Sequence, residues 1–138
     1  MNIVLDTNVL IMSLSRKSKY YTIWKGLQDG LFTICYSNEI LEEYEEIITN
    51  KMNSKIAEHV ITALLNFPNS KKVEVYFHFN LITSDIDDNK FVDCAIKANA
   101  QFIVTQDHHY DILNSIDFPR VNIIDIDNFS LLLHNSIT

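Results

Sequence analysis

Apolar positions along the chain follow two rhythms. Ile3-Val4-Leu5, Phe32 to Tyr36, Phe102 to Thr105 and Val121 to Ile124 are short unbroken runs, rich in β-branched and aromatic residues, as buried strands are. Between them the apolar spacing lengthens to the helical period. It predicts helices over Val9 to Leu14, Tyr20 to Leu27, Ser37 to Asn50, Ser54 to Phe67, Asp87 or Asp88 to Ala98, His109 to Ser115 and Asn128 to His134. Ser37 is a natural N-cap, with Glu39, Glu42 and Glu43 in the early turns where the helix dipole favours acids. Pro68-Asn69-Ser70 marks a turn, after which Lys72 to Phe77 reads as a short or edge strand. Strands separated by helices predict an α/β fold, a three-layer α/β/α sandwich with a mostly parallel central sheet. No repeat, linker or shift in composition divides the chain, so residues 1–138 read as one domain.

In a parallel sheet, chemistry gathers at the carboxyl ends of the strands. Ile3-Val4-Leu5 runs into Asp6, and Ile103-Val104-Thr105 runs into Gln106-Asp107, so both aspartates are expected on that edge. The helix from Asp88 starts there as well. Asp88 precedes Phe91 and Val92 by three and four residues and so faces inward, whereas Asp93 is rotated away from that stripe. In the Ser37 helix the apolar stripe is Ile40, Leu41, Tyr44, Ile47 and Ile48; Glu42 and Glu46 point outward, while Glu43 and Glu45 flank the stripe, Glu43 nearer the helix start and so nearer the strand end. Converging carboxylates repel one another, and only a divalent cation or raised pKa values would stabilise such a cluster. An all-oxygen ligand set favours Mg²⁺ or Mn²⁺, ions that support phosphodiester cleavage.

Composition removes several alternatives. With two glycines in 138 residues, neither a P-loop nor a dinucleotide-binding loop can be assembled. Cys35 and Cys94 stand apart in apolar elements and are expected to be buried thiols. The net charge of −7 is wrong for electrostatic binding of nucleic acid, unless metal ions or a local basic patch reverse it. Arg16, Lys17 and Lys19 form the clearest such patch and are weak candidates for holding substrate phosphates. No apolar run is long enough to span a bilayer, and Asp6 and Asn8 interrupt the first one at once, so a cytoplasmic location is expected.

The segments Val4-Leu5-Asp6-Thr7-Asn8-Val9-Leu10, Ser37-Asn38-Glu39-Ile40-Leu41-Glu42-Glu43-Tyr44, Asp85-Ile86-Asp87-Asp88-Asn89-Lys90-Phe91 and Ile103-Val104-Thr105-Gln106-Asp107 occur in this order. In order and spacing the chain resembles the PIN domain, particularly its bacterial branch of VapC-like toxins from toxin–antitoxin pairs. The resemblance implies a Mg²⁺- or Mn²⁺-dependent ribonuclease that leaves a 3′-hydroxyl and a 5′-phosphate. Its catalytic and metal-binding positions correspond to Asp6, Glu43, Asp88 and Asp107. Asn8 and Thr105 correspond to supporting positions, where an amide and a hydroxyl could donate to the carboxylates. A small antitoxin that blocks the site and a homodimer are the partners implied, beside RNA. The chain departs from the pattern at Gln106, where glycine is usual, and at His108-His109.

Asp85, Asp87 and Asp93 compete with Asp88 for the third carboxylate position. Adjacent histidines cannot easily bind one ion, so His108 and His109 are read as solvated or capping; His59, His78 and His134 lack metal-ligand spacing. The alternative function is a PIN fold without activity that binds RNA or protein, a reading that rests on Gln106 and the acidic surface. A haloacid-dehalogenase-like phosphatase needs an aspartate where Asn8 stands and is rejected.

Overall fold

The computed structural model describes residues 1–136; residues 137 and 138, included above in the expected domain, lie outside them. The chain runs β1 (Asn2–Leu5), α1 (Thr7–Ser13), α2 (Tyr21–Gln28), β2 (Thr33–Tyr36), α3 (Asn38–Lys51), α4 (Ser54–Asn66), β3 (Ser70–Lys72), α5 (Asn89–Ala98), β4 (Phe102–Val104), β5 (Ile123–Ile124) and α6 (Ile126–Ser136). Short 3-10 helices cover Ile86–Asp88 and His108–Ser115. The five strands form one sheet in the order β3-β2-β1-β4-β5, and every pairing is parallel. The fold is therefore α/β with helices flanking an all-parallel sheet, as the alternation of elements predicts.

Strand β1 is central, and its Ile3, Val4 and Leu5 are fully buried. Burial of such side chains contributes roughly 1.5–3 kcal/mol each, which is why so short a strand holds its register. Ile3, Val4 and Leu5 stand opposite Phe102, Ile103 and Val104 of β4. That register carries the next residues, Asp6 and Thr105, out of the sheet side by side. Helix α5 packs across β1, β2 and β4, while α2 and α6 pack on each other. Cys35 and Cys94 are buried and unpaired, as expected. No helix among the described residues is long and apolar enough to cross a membrane.

Two expectations change. The third strand covers Ser70–Lys72 and not Lys72 to Phe77. Its partner β2 ends at Tyr36, whose carbonyl accepts from Val73 N as the last rung of the ladder. Beyond it Tyr76 and Phe77 are 81% and 64% exposed, and residues 73–85 have no regular structure. Asp93 does not turn outward: it is 3% exposed, because that irregular segment lies over its face of α5. Asp93 accepts from Phe79 N at 3.1 Å and lies 3.2 Å from His78 Nδ1.

Candidate metal and active site

Three helical starts and one helix flank meet beyond the carboxyl ends of β1 and β4. Asp6 is the N-cap of α1 and accepts from Thr7 N at 2.8 Å. Asp107 caps the His108–Ser115 helix by accepting from His109 N at 2.9 Å. Asp88 stands at the N-cap of α5 but makes no side-chain capping bond. Glu43 comes from α3, which is fixed to the end of β1 by the buried Tyr44 hydroxyl donating to Leu5 O at 2.6 Å. N-terminal helix ends favour negative charge, so the fold delivers these carboxylates to positions that tolerate them.

Polar neighbours orient the set. Thr105 Oγ1 donates to Asp6 Oδ2 at 2.8 Å and accepts from Asp107 N at 3.0 Å, linking the ends of the two strands. Thr7 Oγ1 donates to Glu43 Oε2, and Lys90 Nζ sits 2.6 Å from Glu43 Oε1 and 3.0 Å from Asp87. Glu43 thus has a donor on each oxygen. Thr7 and Lys90 were not among the sequence candidates, although both lie inside the quoted motifs. Lys90 could have been found as the one cation in an acidic segment.

Charge is concentrated on the buried side. Burial raises the pKa of Asp6; the Thr105 and Thr7 bonds work against that rise, and the charges of Glu43 and Asp107 add to it. Asp88 is pushed up to about 7, first by burial and then by Asp85, Asp6 and Asp107, with His109 opposing. Asp88 Oδ2 is buried and accepts no hydrogen bond from the described residues. Beneath the cluster the Tyr110 hydroxyl is also buried without a partner. Burial raises its pKa, and the charges of Asp6, Asp88, Asp107 and Glu43 raise it further. An unpaired carboxylate oxygen among like charges is what a divalent cation satisfies, and the donor set is the hard-oxygen kind that Mg²⁺ and Mn²⁺ take.

The remaining candidates divide. Asp85 joins the cluster, with Asp85, Asp88 and His109 offering ligand atoms within 4.8 Å of one another. Asp87 is exposed and serves Lys90, and Asp93 belongs to the segment that covers α5. Asn8 does not support the carboxylates: its exposed side chain accepts from Lys51 Nζ at 3.1 Å, because the turn of α1 carries it outward. The two histidines part company. His108 is turned to solvent beside Asp111. His109 is solvated as expected, 44% exposed, but its Nδ1 faces the carboxylates, at 3.1 Å from Asp107, 3.6 Å from Asp88 and 3.8 Å from Asp85. Gln106 turns away from the carboxylates, its Oε1 accepting from Ile126 N at the start of α6. Arg16, Lys17 and Lys19 are exposed after α1, and Lys19 lies 3.8 Å from Asp127. Beside the cluster a groove of about 600 Å³ runs between Glu39, Val73, His78, Ile86, Lys90 and Asp93; it includes neither Asp6 nor Asp107.

Comparison with known proteins agrees with this architecture. The family model of the PIN domain matches residues 2–109. Among solved structures, VapBC2 from Rickettsia felis, bound to a DNA fragment from its promoter, is similar with a TM-score of 0.62. The identity is 16%, over 91% of this chain and 98% of that one, a likeness of fold. No curated protein matches the sequence.

Proposed function

The chain belongs to the PIN domain family, and from that membership together with the acidic cluster we propose that it is a metal-dependent endoribonuclease, the cytoplasmic toxin of a toxin–antitoxin pair. The observation that carries the reading is Asp88 Oδ2, buried without a donor among Asp6, Asp85 and Asp107. Such an oxygen is a poor way to stabilise a fold and a good way to hold a cation. Asp6, Asp88 and Asp107 are the proposed Mg²⁺ or Mn²⁺ ligands, with Glu43 at the inner rim. A bound cation supplies Lewis acidity, lowering the pKa of water and offsetting charge on the scissile phosphate.

The chain's own residues set the geometry. Thr105 holds Asp6 and the backbone of Asp107 at a fixed separation. Lys90 neutralises Glu43 and Asp87 at the edge of the cluster. Arg16 and Lys17, exposed after α1, are available to phosphates farther along the strand. The alternative of an inactive binding module drew on Gln106; with that side chain engaged at α6, it does not crowd the carboxylates. An inhibitory antitoxin remains the proposed protein partner. The groove beside the cluster, mostly polar and edged by the 75% exposed Ile86, is the surface proposed for it.

The test is incubation of a mixed pool of structured and single-stranded RNA with the protein in Mn²⁺, Mg²⁺ or EDTA. Cleavage in metal alone, leaving 5′-phosphate and 3′-hydroxyl ends, supports the nuclease. Intact RNA in every arm, with folded protein freed of partners, favours the binding module.

A further inference from the structure

We propose that Asp85, Asp88 and His109 form a nitrogen-containing cation subsite on the outer rim of the carboxylate cluster, and that it takes Mn²⁺ in preference to Mg²⁺. The proposal deepens the nuclease reading by naming the cation, yet it can be measured without RNA.

Sequence motifs lead to an all-oxygen set, in which Mg²⁺ and Mn²⁺ compete on nearly equal terms. The tightest grouping of ligand-type atoms among the described residues is different, and it shares only Asp88 with that set. His109 Nδ1 lies 3.6 Å from Asp88 Oδ2 and 3.8 Å from Asp85 Oδ2. Around an octahedral ion with ligands at about 2.1 Å, adjacent ligand atoms are about 3.0 Å apart and opposite ones about 4.2 Å. The two spacings from His109 fall between these limits and all three ligand atoms lie within 4.8 Å of one another, so side-chain rotations bring three ligands onto one ion.

Two features mark the place as more than a group of surface acids. Asp88 Oδ2 is buried and accepts no bond, although His109 stands nearby. The side chain of Tyr110, the residue after His109, is fully buried, and its hydroxyl has no partner close to Asp6, Asp88 and Asp107. Local structure prepares the ligands. Asp85 caps the Ile86–Asp88 helix by accepting from Asp87 N with Oδ1, which leaves Oδ2 toward His109. Asp107 caps the His108–Ser115 helix, and that turn sends His108 to solvent beside Asp111 and aims His109 Nδ1 at the carboxylates.

Imidazole nitrogen is the element of selectivity. Mg²⁺ prefers oxygen and gives up water reluctantly, whereas first-row transition cations accept imidazole readily. Adding one such nitrogen to a carboxylate pair therefore strengthens Mn²⁺ binding more than Mg²⁺ binding.

The experiment is calorimetric titration of metal-free protein with MnCl₂ and with MgCl₂, for the wild type, His109→Asn, His108→Asn and Asp85→Asn. Electron spin echo spectra of the Mn²⁺-loaded forms read nitrogen coordination directly. His109 is 44% exposed, so its replacement is compatible with folding. For His109→Asn the expected result is Mn²⁺ affinity lowered at least about tenfold, Mg²⁺ affinity changed less than about threefold, and loss of the nitrogen signal. His108→Asn should behave as wild type, and Asp85→Asn should weaken both ions. Equal losses for both ions in His109→Asn, or a nitrogen signal that survives in it, would overturn the subsite. RNA left uncut by a protein that shows this selectivity would count against the nuclease and not against the subsite.

Discussion

Thr105 joins the ends of two neighbouring strands by donating its hydroxyl to Asp6, 2.8 Å away, while the same oxygen accepts from the backbone of Asp107. The parallel register of β1 and β4 makes this contact available, since Leu5 stands opposite Val104 one residue earlier. One threonine thus fixes the separation of two acidic groups that would otherwise repel. In Thr105→Val the shape is kept but both bonds are lost. Roughly 1–3 kcal/mol of stability should go with them, and Mn²⁺ affinity should fall about 10–100-fold. Thr105→Ser should retain most of both, as read by urea unfolding and calorimetry.

The raised pKa of Asp88 has a consequence for stability without metal. Its carboxyl titrates near 7 in the folded protein and near 3.8 when unfolded. The folded state therefore holds the proton more tightly, and the stabilisation is fully present below about pH 3.8 and is lost as pH rises through 7. Asp6 is shifted in the same direction. Metal-free protein should lose stability to urea between pH 5 and about pH 8 on this account, and Asp88→Asn should flatten that part of the profile. Saturating Mn²⁺ should offset the loss, since a cation favours the ionised carboxylate.

Lys90 and Glu43 are both largely buried, with side chains 12% and 18% exposed. Burial draws the Lys90 pKa down, but its bonds to Glu43 and Asp87 outweigh that and leave it above its ordinary value. Lys90→Met should destabilise the protein by about 1–3 kcal/mol, mainly by leaving Glu43 without its partner. Adding Glu43→Gln should recover part of that loss. Thermal unfolding of the single and double variants measures the coupling.

Asn89 carries a different task from the acids around it. Its buried amide accepts from Ile82 N and donates to Ile82 O, each at 2.9 Å, holding the irregular segment against α5. Asn89→Ala should cost roughly 1–3 kcal/mol, and limited proteolysis should then cut first within residues 73–85.

The motifs made Asp6 and Asp107 visible because a strand running into aspartate in a parallel sheet has one place to go, and Asp88 because its helix starts at that edge. What the sequence concealed depends on contacts between distant segments. Asp93 is off the apolar stripe of its helix by angle, yet residues 73–85 cross over it and bury it. A run with no period of its own gives no sign of where it will lie. The same run looked like a strand at Lys72 to Phe77, since β-branched and aromatic residues suit strands, but β2 supplies no further rung beyond Tyr36. His109 was obscured for a third reason: spacing alone does not say which of two adjacent exposed side chains a 3-10 turn aims at the carboxylates. Asn8 shows the opposite error, a polar residue beside Asp6 that the first turn of α1 carries to Lys51.

The carboxylates beyond β1 and β4 are proposed as the metal centre of an RNA-cleaving enzyme. The most direct measurement is the single-turnover cleavage rate of one RNA substrate in Mn²⁺, for the wild type, Asp6→Asn and Asp88→Asn, each shown to be folded by circular dichroism. The expected result is EDTA-sensitive cleavage in the wild type and a loss of at least about a hundredfold in each variant. Cleavage that survives in both variants, or that persists undiminished in EDTA, would contradict it.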